Sequence, residues 1–307
     1  MKKIFYYLLD FFKEHGSISL LLGFSIFLGL SFYVNYHIRP TSLSFQDWRS
    51  WPMLYGFYVL PYFVGVLGYA LAFQKHDFWQ KPEFWVLSAA ILLVPTLNGN
   101  CSYYRDWGVF EINYFIRKVS FNLHSSVVYA GIPLAILLLY NHQPYSKTFF
   151  GCTAQNFDWL TYTLMMLIML PLLWWASYRP DFLETYPRYL PSHAEPYWGV
   201  PAWLTVGAYE LSYAIQFVAL EIFFRGFIVF ALSKFLGGGA IYPMVLVYAY
   251  IHFGKPMPEA LGSIFGGLIL GVVALRTGSV FGGMFIHIGV ALGMEIFAFR
   301  QMPNSLF

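Results

Sequence analysis

Five ionisable side chains stand out among the apolar helices predicted between Tyr209 and Phe299. Glu210, Glu221 and Arg225 fall on one predicted helix, His252 ends a second, and His287 sits mid-way along the last. A charge at the centre of a bilayer costs about 2.5–3.5 kcal/mol on insertion scales, so such residues either neutralise one another or carry function. Glu221 and Arg225 are four apart and share a helix face, which suits an internal ion pair. Glu210 precedes Glu221 by about three turns, roughly 16 Å along the same face, where it either joins the set or ends at the membrane surface. A neutral imidazole is a cheaper intramembrane group than a carboxylate, yet His287, with apolar neighbours, still needs a polar partner from another helix. A carboxylate in an apolar pocket is pushed toward neutrality, which suits a general base beside two imidazoles. Two histidines and a carboxylate equally form a zinc set, here Glu221, His252 and His287. The spacing leaves both open, because the three residues lie on three helices rather than in one HExxH segment.

The elements that must bring these residues together are predicted to be membrane helices. The 307 residues are 58% hydrophobic, 21% aromatic and 11% charged. A soluble domain carries about twice that charge fraction. A net charge of +3 without a basic run argues against nucleic acid as a partner. Cys101 and Cys152 form no CxxC and no zinc spacing, although a bridge between them is conceivable. Lys2 and Lys3 would suit a signal peptide, but Asp10, Lys13 and Glu14 interrupt the apolar region. Ile4, Phe5, Leu8, Leu9 and Phe12 share a face, which predicts a helix lying in the membrane interface.

About 20 apolar residues span a bilayer. Spans are predicted at Ser17–Tyr36, Met53–Phe73, a short Phe84–Leu97, Ser125–Tyr140 and Trp159–Tyr178. Asn98–His124 reads as a polar connection with a surface helix at Val109–Val119, and Pro180–Pro201 as a second long connection. Ala202–Leu236 is long for one crossing and stops at Gly237-Gly238-Gly239. Ile241–His252, Glu259–Leu275 and Val280–Phe299 follow. The prediction is an all-α polytopic bundle of about eight spans. Residues 1–201 form the wall and residues 202–307 the core that carries the site. Lysines and arginines divide evenly between the two sides, so they do not orient the chain. Gly262, Gly266, Gly267 and Gly271, with Gly289 and Gly293, predict closely packed helices around the site.

Glu221-Ile-Phe-Phe-Arg225-Gly226, Tyr248-Ala-Tyr-Ile-His252 and His287, in this order on successive helices, resemble the CAAX-protease and bacteriocin-processing family (CPBP, or Abi). Its pattern is Glu-Glu-x-x-x-Arg, Phe-x-x-x-His and His-x-x-x-Asn. The resemblance covers about Glu210 to Glu295. It implies a helical intramembrane core with a wet cavity, and endoproteolysis of a prenylated or otherwise membrane-bound peptide. The family has been described both as metalloendopeptidase-like and as glutamate-dependent, so zinc stays open. Three positions depart from the pattern. Leu220 stands where the family has the first glutamate, its expected water activator. Ala291 stands where the small polar residue is expected, and Tyr248 replaces a phenylalanine. Glu295, about 80° round the helix and 12 Å from His287, is a candidate replacement carboxylate. Glu259 follows Pro258 at a helix start, where an acid suits the helix dipole.

The expectation is therefore a hydrolase of the bacterial inner membrane, with the lipid bilayer and a membrane-associated peptide as partners. Glu221 and His252 would activate a water and His287 would orient it or stabilise the oxyanion. Arg225 would hold Glu221, with Glu295 and Tyr248 in support. The alternative is a catalytically inactive scaffold or immunity protein of the same fold, which Leu220 and Ala291 favour. A proton-coupled transporter is a third reading, weakened by the lack of an inverted repeat.

Overall fold

The computed structural model describes residues 2–38, 51–100, 108–140, 149–155 and 157–302. It is helical throughout, with no strand among the described residues. In chain order the helices are α1 (Lys2–His15), α2 (Ile18–Tyr33, prolonged by a π turn at Val34–Ile38), α3 (Trp51–Phe73) and α4 (Pro82–Asn100). After these come α5 (Phe110–Ser126), α6 (Ile132–Tyr140), α7 (Trp159–Ala176) and the short α8 (Pro180–Leu183) and α9 (Ala194–Trp198). The last five are α10 (Ala202–Glu221), α11 (Phe230–Leu236), α12 (Ile241–Tyr250), α13 (Met257–Thr277) and α14 (Phe281–Gln301).

Among the described residues seven helical runs are long and apolar enough to cross a membrane: Ile18–Ile38, Trp51–Phe73, Phe110–Ile136, Trp159–Ala176, Ala202–Tyr250, Met257–Thr277 and Phe281–Gln301. The protein is thus a multi-pass membrane protein, close to the eight spans expected. The fifth run is different in kind. Its most apolar window is 78% buried, against 17% for the windows of α2 and α7. Glu221 is followed by a π-helical stretch, Ile222–Val229, and Gly237–Ala240 turns the chain into α12. All ten residues of α12 are buried. At about 1.5 Å per residue α12 is too short to span, so it is a core helix enclosed by protein. It packs on α3 and α13, while α10 packs on α5 and α14, and α14 on α7.

Several boundaries differ from expectation. Val109–Val119 is not a separate surface helix. It begins the continuous run Phe110–Ile136, in which Asn122 and Ser125 are buried; Asn122 Nδ2 donates to Ser212 Oγ at 3.0 Å. The short span expected at Phe84–Leu97 is the helix α4, outside the seven apolar runs. The amphipathic face of α1 is divided: Ile4 and Phe11 are buried, whereas Phe5 and Leu9 point outward. α1 docks on α13, and Arg276 reaches Glu14 at 2.8 Å. Glycine packing is also half of that expected. A Cβ on Gly267 would lie 3.1 Å from Tyr248, and one on Gly271 2.5 Å from Met244. Gly262 and Gly266 face open space. Gly289 and Gly293 face Met166 and Leu173 of α7. Cys101, the other half of the bridge considered with Cys152, lies outside the described residues.

Candidate active site

α10, α12 and α14 bring Glu221, Arg225, Tyr248, His252 and His287 into one cluster. Glu221 and Arg225 are both fully buried, with Arg225 Nη1 2.8 Å from Glu221 Oε1. The same oxygen accepts from His287 Nδ1 at 2.9 Å. The carboxylate is acceptor-only, so Nδ1 carries the proton and Nε2 of a neutral His287 is left as an acceptor. Tyr248 Oη lies 3.3 Å from that Nε2 and donates to it. Tyr248 also presents its ring face to Arg225, whose guanidinium carbon is 4.4 Å from the ring centroid. This cation–π contact shares the neutralisation of a charge that Glu221 alone would carry.

His252 is oriented differently. Its Nδ1–H donates to the carbonyl oxygen of Tyr248 at 2.8 Å, one turn back. That bond selects the tautomer with a free lone pair on Nε2. The His252 ring lies 4.6 Å from the Tyr248 ring, and Phe217 packs 4.4 Å from the His287 ring. His252 retains 7% of its surface and the His287 side chain 12%, whereas Glu221 retains none. The two imidazoles therefore keep a little exposed surface, whereas the carboxylate has none.

Glu221 Oε2 has no hydrogen-bond donor among the described residues. It points at Gly283, where a Cβ would sit only 2.2 Å away. Any side chain at 283 would displace the carboxylate, so Gly283 belongs to the site although its sequence context did not mark it. Its signal was present in retrospect: it lies four residues before His287, on the same helix face. Phe217 was missed too, because an apolar residue on an apolar helix carries no signal of its contact with a histidine.

The supporting carboxylate expected at Glu295 is not part of this cluster. It is 2% exposed and accepts the Arg188 backbone N–H on both oxygens, at 3.1 and 2.9 Å. It holds the connection that follows α8 against α14. Glu210 likewise lies beside Glu295 rather than Glu221. Glu259 is paired rather than merely dipolar: Lys255 Nζ reaches it at 2.6 Å and Tyr186 Oη donates to it at 2.9 Å. Leu220 and Ala291 are buried apolar residues, 7% and 3% exposed, and supply no polar group at their positions.

The zinc set expected from Glu221, His252 and His287 can be tested on its donors. Among the described residues no three His, Cys, Asp or Glu side chains come together to hold a metal ion. The Glu221 carboxylate is taken up by Arg225 and His287, so the three side chains as arranged do not form a three-ligand site, and no step below runs through a metal.

A comparison with curated proteins and one with solved structures each returned no match. Residues 202–293, from the start of α10 into α14, match the family model described as Type II CAAX prenyl endopeptidase Rce1-like, so the stretch that carries Glu221, Arg225, His252 and His287 is the stretch in which this chain is similar to the CPBP proteases.

Proposed function

We propose that this protein is an intramembrane endopeptidase that hydrolyses a membrane-anchored peptide near its C-terminus, a prenyl-cysteine peptide being the substrate class suggested by the family match. The observation that carries the reading is a connected series, the Arg225–Glu221 ion pair followed by hydrogen bonds linking Glu221 to His287 and His287 to Tyr248, with His252 beside it holding a free Nε2. Glu221 and His252 together were expected to activate the water. The complete burial of Glu221 and its shared Oε1 support a different division of labour, in which His252 Nε2 is the base.

In that division His252 takes a proton from water as the water oxygen bonds to the scissile carbonyl carbon. The carbonyl π pair moves onto oxygen and gives a tetrahedral oxyanion. Collapse breaks the C–N bond, and the proton held by His252 passes to the leaving amine. Glu221 keeps His287 in one tautomer, as a buried carboxylate does for an imidazole in acyl-transfer sites, and Arg225 pairs with Glu221. General-base catalysis of this kind contributes roughly 10²–10⁴-fold.

The test is cleavage of a farnesylated C-terminal peptide by protein reconstituted in lipid vesicles. Cleavage is expected from wild type, with none from His252→Ala. Activity that a chelator removes and zinc restores would overturn the metal-free scheme. Equal cleavage by His252→Ala would overturn the assignment of the base. The second reading is an inactive scaffold, favoured by Leu220 in the water-activator position. It predicts that wild type cleaves no peptide of this class while still binding one. The bacterial inner membrane is the proposed location.

A further inference from the structure

Tyr248 is the residue where the site departs from its family pattern by gaining a polar group. Two other departures lose one: Leu220 in place of a carboxylate and Ala291 in place of a small polar donor one turn beyond His287. The hydroxyl that Tyr248 adds to a phenylalanine lies 3.3 Å from His287 Nε2. The ring that carries it is fixed on several sides. Arg225 covers one face, Phe224 meets it edge-on at 5.0 Å, and Gly267 of α13 leaves just enough room beside Cδ1. The backbone carbonyl of the same residue orients His252. One residue on a fully buried helix therefore touches both histidines, through its hydroxyl on one side and its carbonyl on the other.

The proton order follows from the acceptor at the far end. Glu221 can only accept, so Nδ1–H of His287 points at it and Nε2 is an acceptor. Among the described residues the Tyr248 O–H is the donor to that nitrogen. Without it Nε2 would be a partly buried acceptor with no partner, beside the Phe217 ring, and the Glu221 bond would be left as the ring's polar anchor.

We propose that Tyr248 is a positioning residue that supplies from α12 the polar contact position 291 does not provide, a second hold on the His287 ring, at Nε2, beside the Glu221 bond that sets its tautomer. The inference rests on the peptidase reading for its consequence, but its structural half stands apart from it. The experiment therefore has two readouts. The first is ¹⁵N NMR of histidine-labelled protein in detergent micelles, comparing wild type with Tyr248→Phe and with 3-fluorotyrosine placed at 248. The expected result is a displaced His287 Nε2 resonance in Tyr248→Phe, a smaller displacement with fluorotyrosine, and an unmoved His252 resonance. The second is cleavage of the farnesylated peptide. Tyr248→Phe is expected to lower kcat about tenfold, the worth of one lost hydrogen bond, with KM unchanged. The double variant Tyr248→Phe/Ala291→Asn is expected to recover most of that loss.

An unmoved His287 resonance in Tyr248→Phe overturns the proposal whatever the activity. A moved resonance with no cleavage by wild type removes the peptidase reading and leaves the positioning contact standing. A moved resonance with unchanged kcat overturns the functional half. Should Tyr248→Phe fail to fold, the fluorotyrosine protein, which keeps ring and hydroxyl, decides the same question: its resonance either moves or stays.

Discussion

Two buried glutamates in this molecule meet opposite fates. Glu195, in α9 outside the membrane spans, is 6% exposed and saturated with donors. Tyr189 Oη donates at 2.5 Å, the Ser192 N–H at 2.8 Å, and the Thr205 hydroxyl as well. Glu221 is more deeply buried yet under-satisfied: one oxygen serves both Arg225 and His287, and the other faces Gly283 without a donor. A carboxylate with donors on both oxygens locks a connection in place. One left short of donors, beside two imidazoles, keeps a charge available to organise protons. The contrast separates structural from functional burial better than burial alone.

The largest effect expected is loss of peptide cleavage in His252→Ala, by about two to four orders of magnitude, with the protein still inserted and folded by circular dichroism. The corresponding loss of Glu195 should leave the per-molecule rate unchanged. Next is Arg225→Ala, which leaves Glu221 buried without its counter-charge. It should destabilise the protein by about 3–5 kcal/mol in thermal unfolding in detergent, and the double variant Arg225→Met/Glu221→Gln should recover much of this. Full stability of Arg225→Ala would break the distinction drawn between the two glutamates. Gly283→Ala should push Glu221 off His287 and cut cleavage. Gly266→Ala, where a Cβ meets nothing within 4 Å, should act as wild type in the same assay.

Smaller effects belong to Glu195. Glu195→Ala strands three donors and should cost about 1–3 kcal/mol, read as a lower unfolding temperature. Burial pushes the Glu195 carboxyl up, but hydrogen bonds from Thr205, Tyr189 and the Ser192 backbone outweigh it and hold the group below its ordinary range. A depressed folded-state pKa stabilises above the unfolded value and is lost as pH falls through the folded one. Wild type should therefore lose stability on acidification through and below the usual carboxylate range. Glu195→Gln should flatten that part of the profile, and identical profiles would show that Glu195 does not couple to folding.

Much of this was legible in one dimension. Apolar length alone defined most of the membrane helices, because the bilayer imposes a minimum of about 20 residues on any span. The ionisable residues of the core could be picked out because lipid makes each of them costly. The Glu221–Arg225 pair followed from i, i+4 spacing on one helix, which tertiary contacts need not supply. What sequence could not decide were relations across helices. Glu295 and Glu210 looked like neighbours of the site by helical angle, yet the connection bearing Arg188 captures Glu295 and draws Glu210 beside it. Val109–Val119 read as a surface helix because its polar residues counted as exposed. Packing turned Asn122, further along the same run, onto Ser212 instead.

The sequence by itself determined that this is a helical membrane protein with a polar cluster in its last hundred residues, because hydropathy and charge are properties of single positions and short windows. Only the tertiary structure decided which oxygen of Glu221 meets which nitrogen, that Glu221 is fully buried while the histidines keep a little surface, and that the hydroxyl of Tyr248 completes His287. Those facts depend on distances between helices far apart in the chain, and a hydrogen bond exists only within about 3 Å.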